Sequence, residues 1–168
     1  MNNIEIKKLS KKYDVRKLGS DDVEMIYSFC KKNTQYYEYC GKELSIELIE
    51  QDLEITPPGI PKEQKYYIGF FENNKLVAVM DLLDGYPSCD YAYIGFFMMD
   101  FELQGTGIGS KIVSEVLEYL HEHGFQKCQL GIDKDNPQSN HFWRKNGFEI
   151  IREVEIEEGI ILVAEKRL

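Results

Sequence analysis

The sequence predicts an α/β fold, or α+β in stricter schemes, with a mixed, mostly antiparallel central sheet of about six to seven strands and helices on both faces. Two patterns predict it: three strand-like segments joined by short turns, and then an amphipathic helix that leads to another strand. With 168 residues and 43% hydrophobic content, the chain has the size and the apolar material for one buried core. We therefore expect a single domain over residues 1–168.

The first third of the chain favours helices. Ser20 or Asp21 is expected to cap a helix that runs to about residue 32, with Glu24 placed to reach back to Asp21. A second helix is expected from Ser45 to about residue 53, and the proline-rich segment 57–61 reads as a surface loop. No repeat or flexible linker separates this part from the rest of the chain, which also favours one domain.

The middle of the chain changes to strands. Short turns at 73–74 and 85–88 separate segments that are rich in β-branched and aromatic residues. Three consecutive strands are expected, at Tyr66–Glu72, Leu76–Leu83 and Tyr91–Met99. Short turns between consecutive strands predict an antiparallel meander.

The last part of the chain begins with a helix. Apolar residues recur at helical spacing from Ile108 to Leu120, charged residues lie opposite them, and Gly124 is a stop signal. The pattern then predicts a strand over 126–132, a helix over 137–145 and two strands over 148–156 and 160–166. A strand, a helix and a further strand in this order predict a parallel crossover within the mixed sheet.

Charge and hydropathy exclude two classes of partner. A net charge of -9 and a pI of about 4.9 would repel the phosphates of a nucleic acid. No segment approaches the run of about 20 apolar residues that a membrane span needs, and the polar start of the chain lacks the apolar core of a secretory signal. We expect a cytoplasmic protein that binds neither nucleic acid nor membranes.

The cysteines and histidines predict no metal site. Cys30, Cys40, Cys89 and Cys128 lie far apart without a CxxC pair, and the three histidines add no zinc-ligand spacing. We expect reduced, structural cysteines.

A glycine-rich turn lies between the third strand of the meander and the amphipathic helix. Gln104-Gly105-Thr106-Gly107-Ile108-Gly109-Ser110 leads directly into that helix. The first amides of a helix have no partner within it, glycines permit close approach of a ligand, and the helix dipole favours negative charge. The turn therefore predicts a site for the pyrophosphate of a nucleotide-bearing cofactor.

Three other interpretations of this turn compete with that one. The Rossmann pattern GxGxxG fits poorly, because its third glycine falls at Ser110 and the preceding strand belongs to a meander. The P-loop pattern GxxxxGK[ST] also fits poorly, because Lys111 lies one place too late. A tight strand-to-helix turn without any ligand would be the first choice for such a glycine triplet on its own.

Two motifs in order resemble those of the GNAT superfamily of N-acetyltransferases. Residues 104–109 match its Q/R-x-x-G-x-G/A motif, and residues 136–148 resemble its second motif, an asparagine followed by aromatic residues and a closing Gly-Phe pair. The similarity covers about residues 66–166, and the first 60 or so match only in their helix content. It implies the GNAT fold and an acyltransferase that moves an acetyl group from acetyl-coenzyme A to a primary amine.

The resemblance also implies where the cofactor binds. In the family, the strand before the glycine turn diverges from the next parallel strand, and the pantetheine arm lies in the opening. The backbone of β-strand residues would pair with that arm, and the amides of the turn, with the hydroxyls of two of its residues, would hold the pyrophosphate. The implied cofactor-binding residues are Phe97, Met98, Met99, Gln104, Gly105, Thr106, Gly107, Ile108, Gly109, Ser110, Asn136, Ser139 and Phe142. Asn136 also reads as the cap of the helix that starts at Pro137.

The catalytic groups implied by the resemblance are less complete. The amide of Phe97 or Met98 would face the thioester carbonyl. Many members carry a proton-donating tyrosine where this chain has Trp143, and the glutamate that histone-type members use as a base falls at Tyr93. The group that receives the proton of the amine is left open between Asp81, Tyr93 acting through water, and bulk solvent; for Asp81, a turn or surface carboxylate is the stronger interpretation.

The acceptor side stays open at this stage. In similar proteins the first two helices and a later loop build the acceptor pocket, which indicates the aromatic residues Phe29, Tyr36, Tyr37, Tyr39 and Tyr86. They would either cradle a cationic amine or belong to ordinary packing, with packing slightly favoured. The alternative function is a non-catalytic acyl-coenzyme A binding module, because both usual proton-transfer residues are missing. A homodimer is possible, since similar proteins often dimerise.

Overall fold

The computed structural model of the protein describes residues 3–168, and its strands form one seven-stranded sheet in the order β1-β2-β3-β4-β5-β7-β6. β4 and β5 are parallel, and the other neighbouring strands are antiparallel. The helices are α1 (Val23–Cys30), α2 (Thr34–Cys40), α3 (Ile46–Glu54), α4 (Ile108–Glu122) and α5 (Pro137–Lys145), and the strands are β1 (Asp14–Lys17), β2 (Lys65–Glu72), β3 (Lys75–Asp84), β4 (Tyr91–Met99), β5 (Lys127–Asp133), β6 (Glu149–Ile156) and β7 (Gly159–Arg167). The predicted fold class is confirmed.

Apolar side chains form one cluster on each face of the sheet. On one face, the apolar stripe of α4 packs with Trp143 of α5 and with Ile94 and Met99 of β4. On the other face, α1 and α3 pack with Met98 of β4. Side chains of β4 alternate between the two clusters because successive residues of a strand point to opposite faces. The β4 strand therefore contributes to both layers.

Helix ends in the second half of the chain follow the expected signals. Asn136 caps α5, because its side-chain oxygen accepts a hydrogen bond from the Ser139 amide at 3.0 Å, and Pro137 occupies the first turn. The α4 helix ends just before Gly124, whose φ of 90° lies in the left-handed region. The α3 helix is likewise capped by Ser45, which accepts from the Leu48 amide at 3.0 Å.

The first third of the chain differs from the expectation. Neither Ser20 nor Asp21 caps α1; these residues belong to a short 3-10 turn, and α1 begins at Val23. The expected return contact of Glu24 to Asp21 was also wrong. Instead, the Asp22 carboxylate accepts a hydrogen bond from the Gly19 amide at 2.8 Å. The 3-10 turn connects β1 to α1, so α1 starts about two residues later than expected.

Two elements in this region were not predicted. β1 is four residues long and pairs with β2 at the edge of the sheet, and it is too short to show a clear alternation of apolar residues. The α2 helix, seven residues long, takes up most of the aromatic segment and ends at Gly41, which has a φ of 69°. The first expected helix therefore stops at Cys30, and a second one starts at Thr34.

β4 and β5 separate halfway along their length. Their parallel pairing joins Tyr91–Ile94 to Lys127–Leu130 and ends there, although β4 continues to Met99 on β3 and β5 continues to Asp133 on β7. A register shift in the pairing of β4 with β3 lies at the same level, where Gly95 is the extra residue between the partners of Asp81 and Leu82. The sheet therefore opens beyond Ile94 on the side that leads to the glycine-rich turn.

None of the helices within residues 3–168 has the length and apolar character that a membrane span requires. The four cysteines are free thiols, and Cys30 and Cys128 are buried in the two apolar clusters.

The packing of α4 on the sheet gives a direct stability test. Ile112 is completely buried in α4, so Ile112→Ala should lower the free energy of unfolding by about 2–5 kcal/mol through lost burial and a residual cavity. Ile55→Ala is the matched control, because Ile55 is 66% exposed and the same substitution there should change the stability by less than about 0.5 kcal/mol. Urea unfolding of both variants measures the difference; equal effects would contradict the described packing.

Candidate active site

A cavity of about 700 Å³ lies where β4 and β5 separate. It is lined by Tyr36 of α2 from one face of the sheet, and by Phe142 and Trp143 of α5 from the other. Residues 97–99 of β4 and the glycine-rich turn form its wall along the strand. The opening in the sheet thus connects the two faces, and a ligand in it could reach both helices.

Main-chain amides of the glycine-rich turn lack partners. Within residues 3–168, no hydrogen-bond acceptor is matched to the amides of Gly105, Thr106, Gly107, Gly109 and Ser110. The amide of Lys111 is the next to be satisfied, by the Gly107 carbonyl at 3.2 Å. Unpaired amides at the start of a 15-residue helix can bind an anion, because the positive end of the helix dipole adds to their own partial charges.

The glycines of the turn allow its backbone conformation and keep the space beside it open. Gly105 and Gly107 have φ values of 74° and 83°, which residues with a side chain rarely adopt. A Cβ on either glycine would meet nothing within 4 Å. The space above them is therefore open to a ligand of the size of a diphosphate. Gly109 serves another purpose, because a Cβ there would lie 3.1 Å from Met99 and 3.4 Å from Phe142. Its lack of a side chain lets α4 approach β4 and α5 closely.

Side chains of the turn are mostly occupied by other contacts. Gln104 donates a hydrogen bond to the Asn33 side chain, and its own side-chain oxygen accepts one from Gln138 at 3.4 Å. The hydroxyl of Thr106 donates to the Leu103 carbonyl at 2.5 Å. The Ser110 hydroxyl accepts a hydrogen bond from Asn146 at 3.2 Å. The main-chain amides, more than these side chains, are available to a ligand.

The residues predicted from the second motif reach the same cavity. Asn136, Ser139 and Phe142 all line it. Asn136 is 4% exposed and is held by its capping role, so it is a rigid part of the wall. The ring of Phe142 stacks on that of Phe97, with 5.9 Å between centroids and 19° between planes. This aromatic pair bridges α5 and β4 across the opening.

Trp143 stands where the resemblance implied a proton-donating tyrosine in similar proteins. It is 7% exposed and meets Phe97, Phe142 and Phe148 edge-on, at 5.9, 4.9 and 5.3 Å between centroids. Its indole is therefore a packing element that lines the cavity and has no acidic proton to give.

Tyr93 lies on β4 just before the opening. It meets the ring of Tyr86 edge-on at 5.2 Å, and its hydroxyl would be 3.4 Å from a Cβ at Gly131 on β5. Burial raises the pKa of its phenol. The phenol therefore holds its proton at neutral pH, which makes it unsuited to accept one directly.

Asp81 was expected to be a turn or surface carboxylate, but it is a buried residue of a strand. It lies inside β3 and pairs with Lys65 at 2.6 Å, and the side chains of the two are 13% and 4% exposed. One oxygen, Oδ1, is buried without a hydrogen-bond partner within residues 3–168, and the other would be 2.9 Å from a Cβ at Gly95. Burial raises the pKa of Asp81, and the nearby Lys65 opposes that rise. This carboxylate lies over the register shift of β4, next to the opening.

The aromatic residues expected on the acceptor side fall into three groups. Tyr36 meets Phe96 of β4 edge-on at 5.6 Å and lines the cavity. Phe29 and Tyr37 pack against the apolar cluster under α1 and α3, and the ring of Tyr86 contacts that of Tyr93. Tyr39 is half-buried. The structure therefore brings Tyr36 to the opening and places the others in packing contacts or at a distance from the cavity.

Sequence reasoning missed three polar residues of this region. Asn33 and Gln138 hold Gln104, and Lys65 pairs with Asp81. The Asn33-Thr34 pair is a helix-start signal that would have indicated α2. The contacts of Gln138 with Gln104 and of Lys65 with Asp81 join residues distant in sequence, so no local pattern could have shown them.

Comparison with known proteins places this geometry in a family. The profile of the Acetyltransferase (GNAT) family matches residues 26–148. No curated protein sequence matches the chain closely enough to add to this comparison.

Solved structures share the fold at low sequence identity. An acetyltransferase from Thermus thermophilus superposes with a TM-score of 0.72 at 20% identity, covering 94% of this chain and 97% of that chain. An aminoglycoside acetyltransferase in complex with coenzyme A has a TM-score of 0.71 at 16% identity, with 92% and 94% coverage. The ribosomal-protein-S18-alanine N-acetyltransferase from Escherichia coli has a TM-score of 0.65 at 13% identity, with 92% and 93% coverage.

The fold likeness extends over the N-terminal helices, which the sequence motifs alone did not reach. Because the family profile spans well over half of the chain, the protein belongs to the acetyltransferase (GNAT) family and is an acyltransferase that uses acetyl-coenzyme A.

Proposed function

We propose that the protein transfers the acetyl group of acetyl-coenzyme A to a primary amine, which attacks the thioester directly. The observation that carries this proposal is the row of unpartnered amides beside an opening in the sheet. Each hydrogen bond from an amide to a charged oxygen contributes roughly 1.5–3 kcal/mol, so several of them can hold a diphosphate without a lysine. The proposal treats residues 1–168 as one domain.

The wall of the opening has the parts that an extended, polar arm needs. The backbone of Phe97 and Met99 on β4 lies beyond the last pair with β5, so its outer edge is free to bind such an arm as a strand would. Asn136 and Ser139 offer polar groups on the α5 side, and Phe142 offers an apolar surface. In this arrangement the unpartnered amides between Gly105 and Ser110 bind the diphosphate end, and the reactive end lies near Phe97.

The chemistry of the transfer needs a donor for the developing negative charge. Bound acetyl-coenzyme A supplies an activated acyl group. The amide of Phe97 is the proposed donor to its carbonyl oxygen, and a fixed donor of this kind contributes about 2.7–4 kcal/mol to catalysis elsewhere. The Met98 amide is directed to β3 instead, because the Asp100 amide bonds to Val77 there and backbone donors alternate along an antiparallel pair. The role belongs to the backbone, because the side chains of both residues pack in the apolar clusters.

The amine must also lose a proton. An alkyl ammonium has a pKa of about 10.4, so at neutral pH most of the acceptor is charged when it arrives. Asp81 is one candidate to receive that proton. Its pKa is raised toward neutral pH, and one of its oxygens has no hydrogen-bond partner within residues 3–168. Tyr93 through a water molecule and bulk solvent are the other two.

A second candidate function is a non-catalytic acyl-coenzyme A binding module. The substitution of both usual proton-transfer residues, by Tyr93 and Trp143, is the observation that favours it. The two functions share the cofactor site and differ in whether the acetyl group leaves. For either function we propose a cytoplasmic location and a homodimer. The acetyltransferase also needs a small-molecule or peptide amine as its acceptor.

Release of free thiol distinguishes these functions. We expect that acetyl-coenzyme A incubated with the protein and a panel of primary amines, including aminoglycosides, polyamines and peptide N-termini, gives thiol faster than without an amine for at least one of them. A thiol-reactive dye and mass spectrometry of the amine measure the transfer. Cofactor binding by calorimetry without thiol release across the panel would leave the binding module as the function.

Gly107→Asp tests the diphosphate site. A carboxylate among the amides should lower coenzyme A affinity by more than about 100-fold, because it repels the diphosphate and competes for the same donors. Gly124→Asp is the matched control: its φ of 90° resembles the 83° of Gly107, and neither Cβ would meet an atom within 4 Å. Both substitutions should cost about 1–3 kcal/mol of stability from backbone strain. Isothermal titration calorimetry should show normal binding for Gly124→Asp, and equal affinities of the two variants would count against the site.

The Lys65–Asp81 pair allows a test of what Asp81 does. Lys65→Met should destabilise by about 3–5 kcal/mol at neutral pH, because it leaves a buried carboxylate unpaired. The folded-state pKa of Asp81 then rises further above its unfolded value of about 3.9, so the deficit should shrink as the pH falls toward that value. The double variant Lys65→Met/Asp81→Leu should recover most of the stability.

Activity of the double variant separates structure from catalysis. If Asp81 is the base, turnover should fall by about 10²–10⁴-fold although the fold is stable. Turnover within threefold of the wild type would assign Asp81 to structure and leave Tyr93 or solvent as the proton acceptor.

A further inference from the structure

We infer that the hydroxyl of Tyr36, on α2, donates a hydrogen bond to the departing thiolate sulfur and stabilises its charge. This inference rests on the proposed acetyl transfer, and it names a catalytic residue that neither sequence motif contains. Four observations about Tyr36 support it: where its ring lies, what its hydroxyl contacts, what surrounds it and what holds its helix.

The ring of Tyr36 lies beside the opening. It meets Phe96 edge-on at 5.6 Å and Tyr37 at 5.0 Å, which fixes its orientation from two sides. Phe96 follows the extra residue Gly95, at the level where β4 leaves β5. Tyr36 therefore covers the narrow end of the opening, whereas the glycine-rich turn lies at its wide end.

The hydroxyl of Tyr36 is uncommitted. Among residues 3–168 it has no hydrogen-bond partner, yet it is not sealed in the interior, because Tyr36 lines the cavity together with Phe97 and Trp143. Two other phenols are engaged: the half-buried Tyr66 accepts a hydrogen bond from the Ile4 amide at 3.3 Å, and the buried Tyr119 accepts one from the Glu5 amide at 2.8 Å. An unengaged hydroxyl on a residue that lines the cavity is available to a ligand in it.

The surroundings of Tyr36 keep its phenol protonated. Burial is the main reason that its pKa is raised, and the neighbouring groups Cys40 on α2, Asp133 on β5, Asp52 on α3 and Cys30 on α1 raise it further. A neutral phenol is a hydrogen-bond donor, which suits the stabilisation of a thiolate and is unsuited to deprotonating an amine. Tyr36 and Trp143 line the cavity from opposite faces of the sheet, so both reach the opening.

The helix that carries Tyr36 is held by the glycine-rich turn. Asn33, which immediately precedes α2, accepts a hydrogen bond from the Gln104 side chain. The position of the phenol is therefore tied to the turn that is proposed to hold the diphosphate.

The proton balance of the step is simple. As the bond between the amine nitrogen and the carbonyl carbon forms, the bond between that carbon and sulfur breaks. The sulfur leaves as a thiolate that accepts a hydrogen bond from the Tyr36 hydroxyl and then takes up one proton from solvent, and the amine gives up one proton to its base or to solvent. The products are an amide and a free thiol, and no oxidant or further reactant is needed.

The thiol of bound coenzyme A reports on Tyr36 without any acceptor amine. A hydrogen bond from the phenol to the thiolate should lower the pKa of the bound thiol, so Tyr36→Phe should raise that pKa by about one to two pH units, the effect of a single hydrogen bond to an ionised group. Titration of the thiolate absorbance of bound coenzyme A measures it. Tyr27→Phe is the control, because Tyr27 packs in the same apolar cluster through α1 and should leave the thiol unchanged.

Two further readouts separate catalysis from structure. Tyr36→Phe keeps the ring that packs on Phe96, so the affinity for coenzyme A should stay within threefold of the wild type while kcat with an active amine falls by about 10–10²-fold. An unchanged thiol pKa in Tyr36→Phe, or a loss of affinity that accounts for the loss of turnover, would overturn the inference. A wild type that binds coenzyme A and shows a lowered thiol pKa, but transfers to no amine, would overturn the proposed function and keep the contact with Tyr36.

Discussion

Pairing between β4 and β5 ends at Ile94 and Leu130, and the arrangement of the site depends on that ending. A parallel pair that continued to Met99 would satisfy the edge of β4 and close the sheet. Because each strand stays paired on its other side, with β3 and with β7, the two strands remain rigid while they diverge. Backbone groups that face an opening need partners, which makes the opening suited to an extended chain with amide groups of its own.

The divergence also explains why residues of both faces serve one site. In a continuous sheet, Tyr36 and Trp143 would be separated by a layer of backbone, since they belong to helices on opposite sides. Here both line the same cavity. The extra residue at Gly95 contributes, because it shifts the register on β3 and leaves the Asp81 carboxylate where a side chain on β4 would collide with it. A group placed on either face can therefore act on a ligand in the opening.

The glycine-rich turn was predictable from the sequence, and the contacts of Asp81 and Tyr36 were not, for a physical reason. Amides bind a diphosphate through the backbone, so the local pattern from Gln104 to Ser110 determines both the turn and its chemistry. By contrast, the Lys65–Asp81 pair and the contact of Tyr36 with Phe96 join residues that are 16 and about 60 places apart, which no local period reveals. Strands and helices with a strong period were found, whereas β1 and α2 are four and seven residues long and too short to show one.

A chain of polar contacts joins the two sides. Gln104, the first residue of the glycine-rich turn, donates to the side chain of Asn33, which is 6% exposed and immediately precedes α2. Tyr36 lies in the first turn of that helix, three residues after Asn33. A buried amide without its partner is costly, so the position of the turn and the position of α2 constrain each other. The first residue of the glycine-rich turn thus also contacts the residue before the helix that carries Tyr36, and one hydrogen bond links the two ends of the opening.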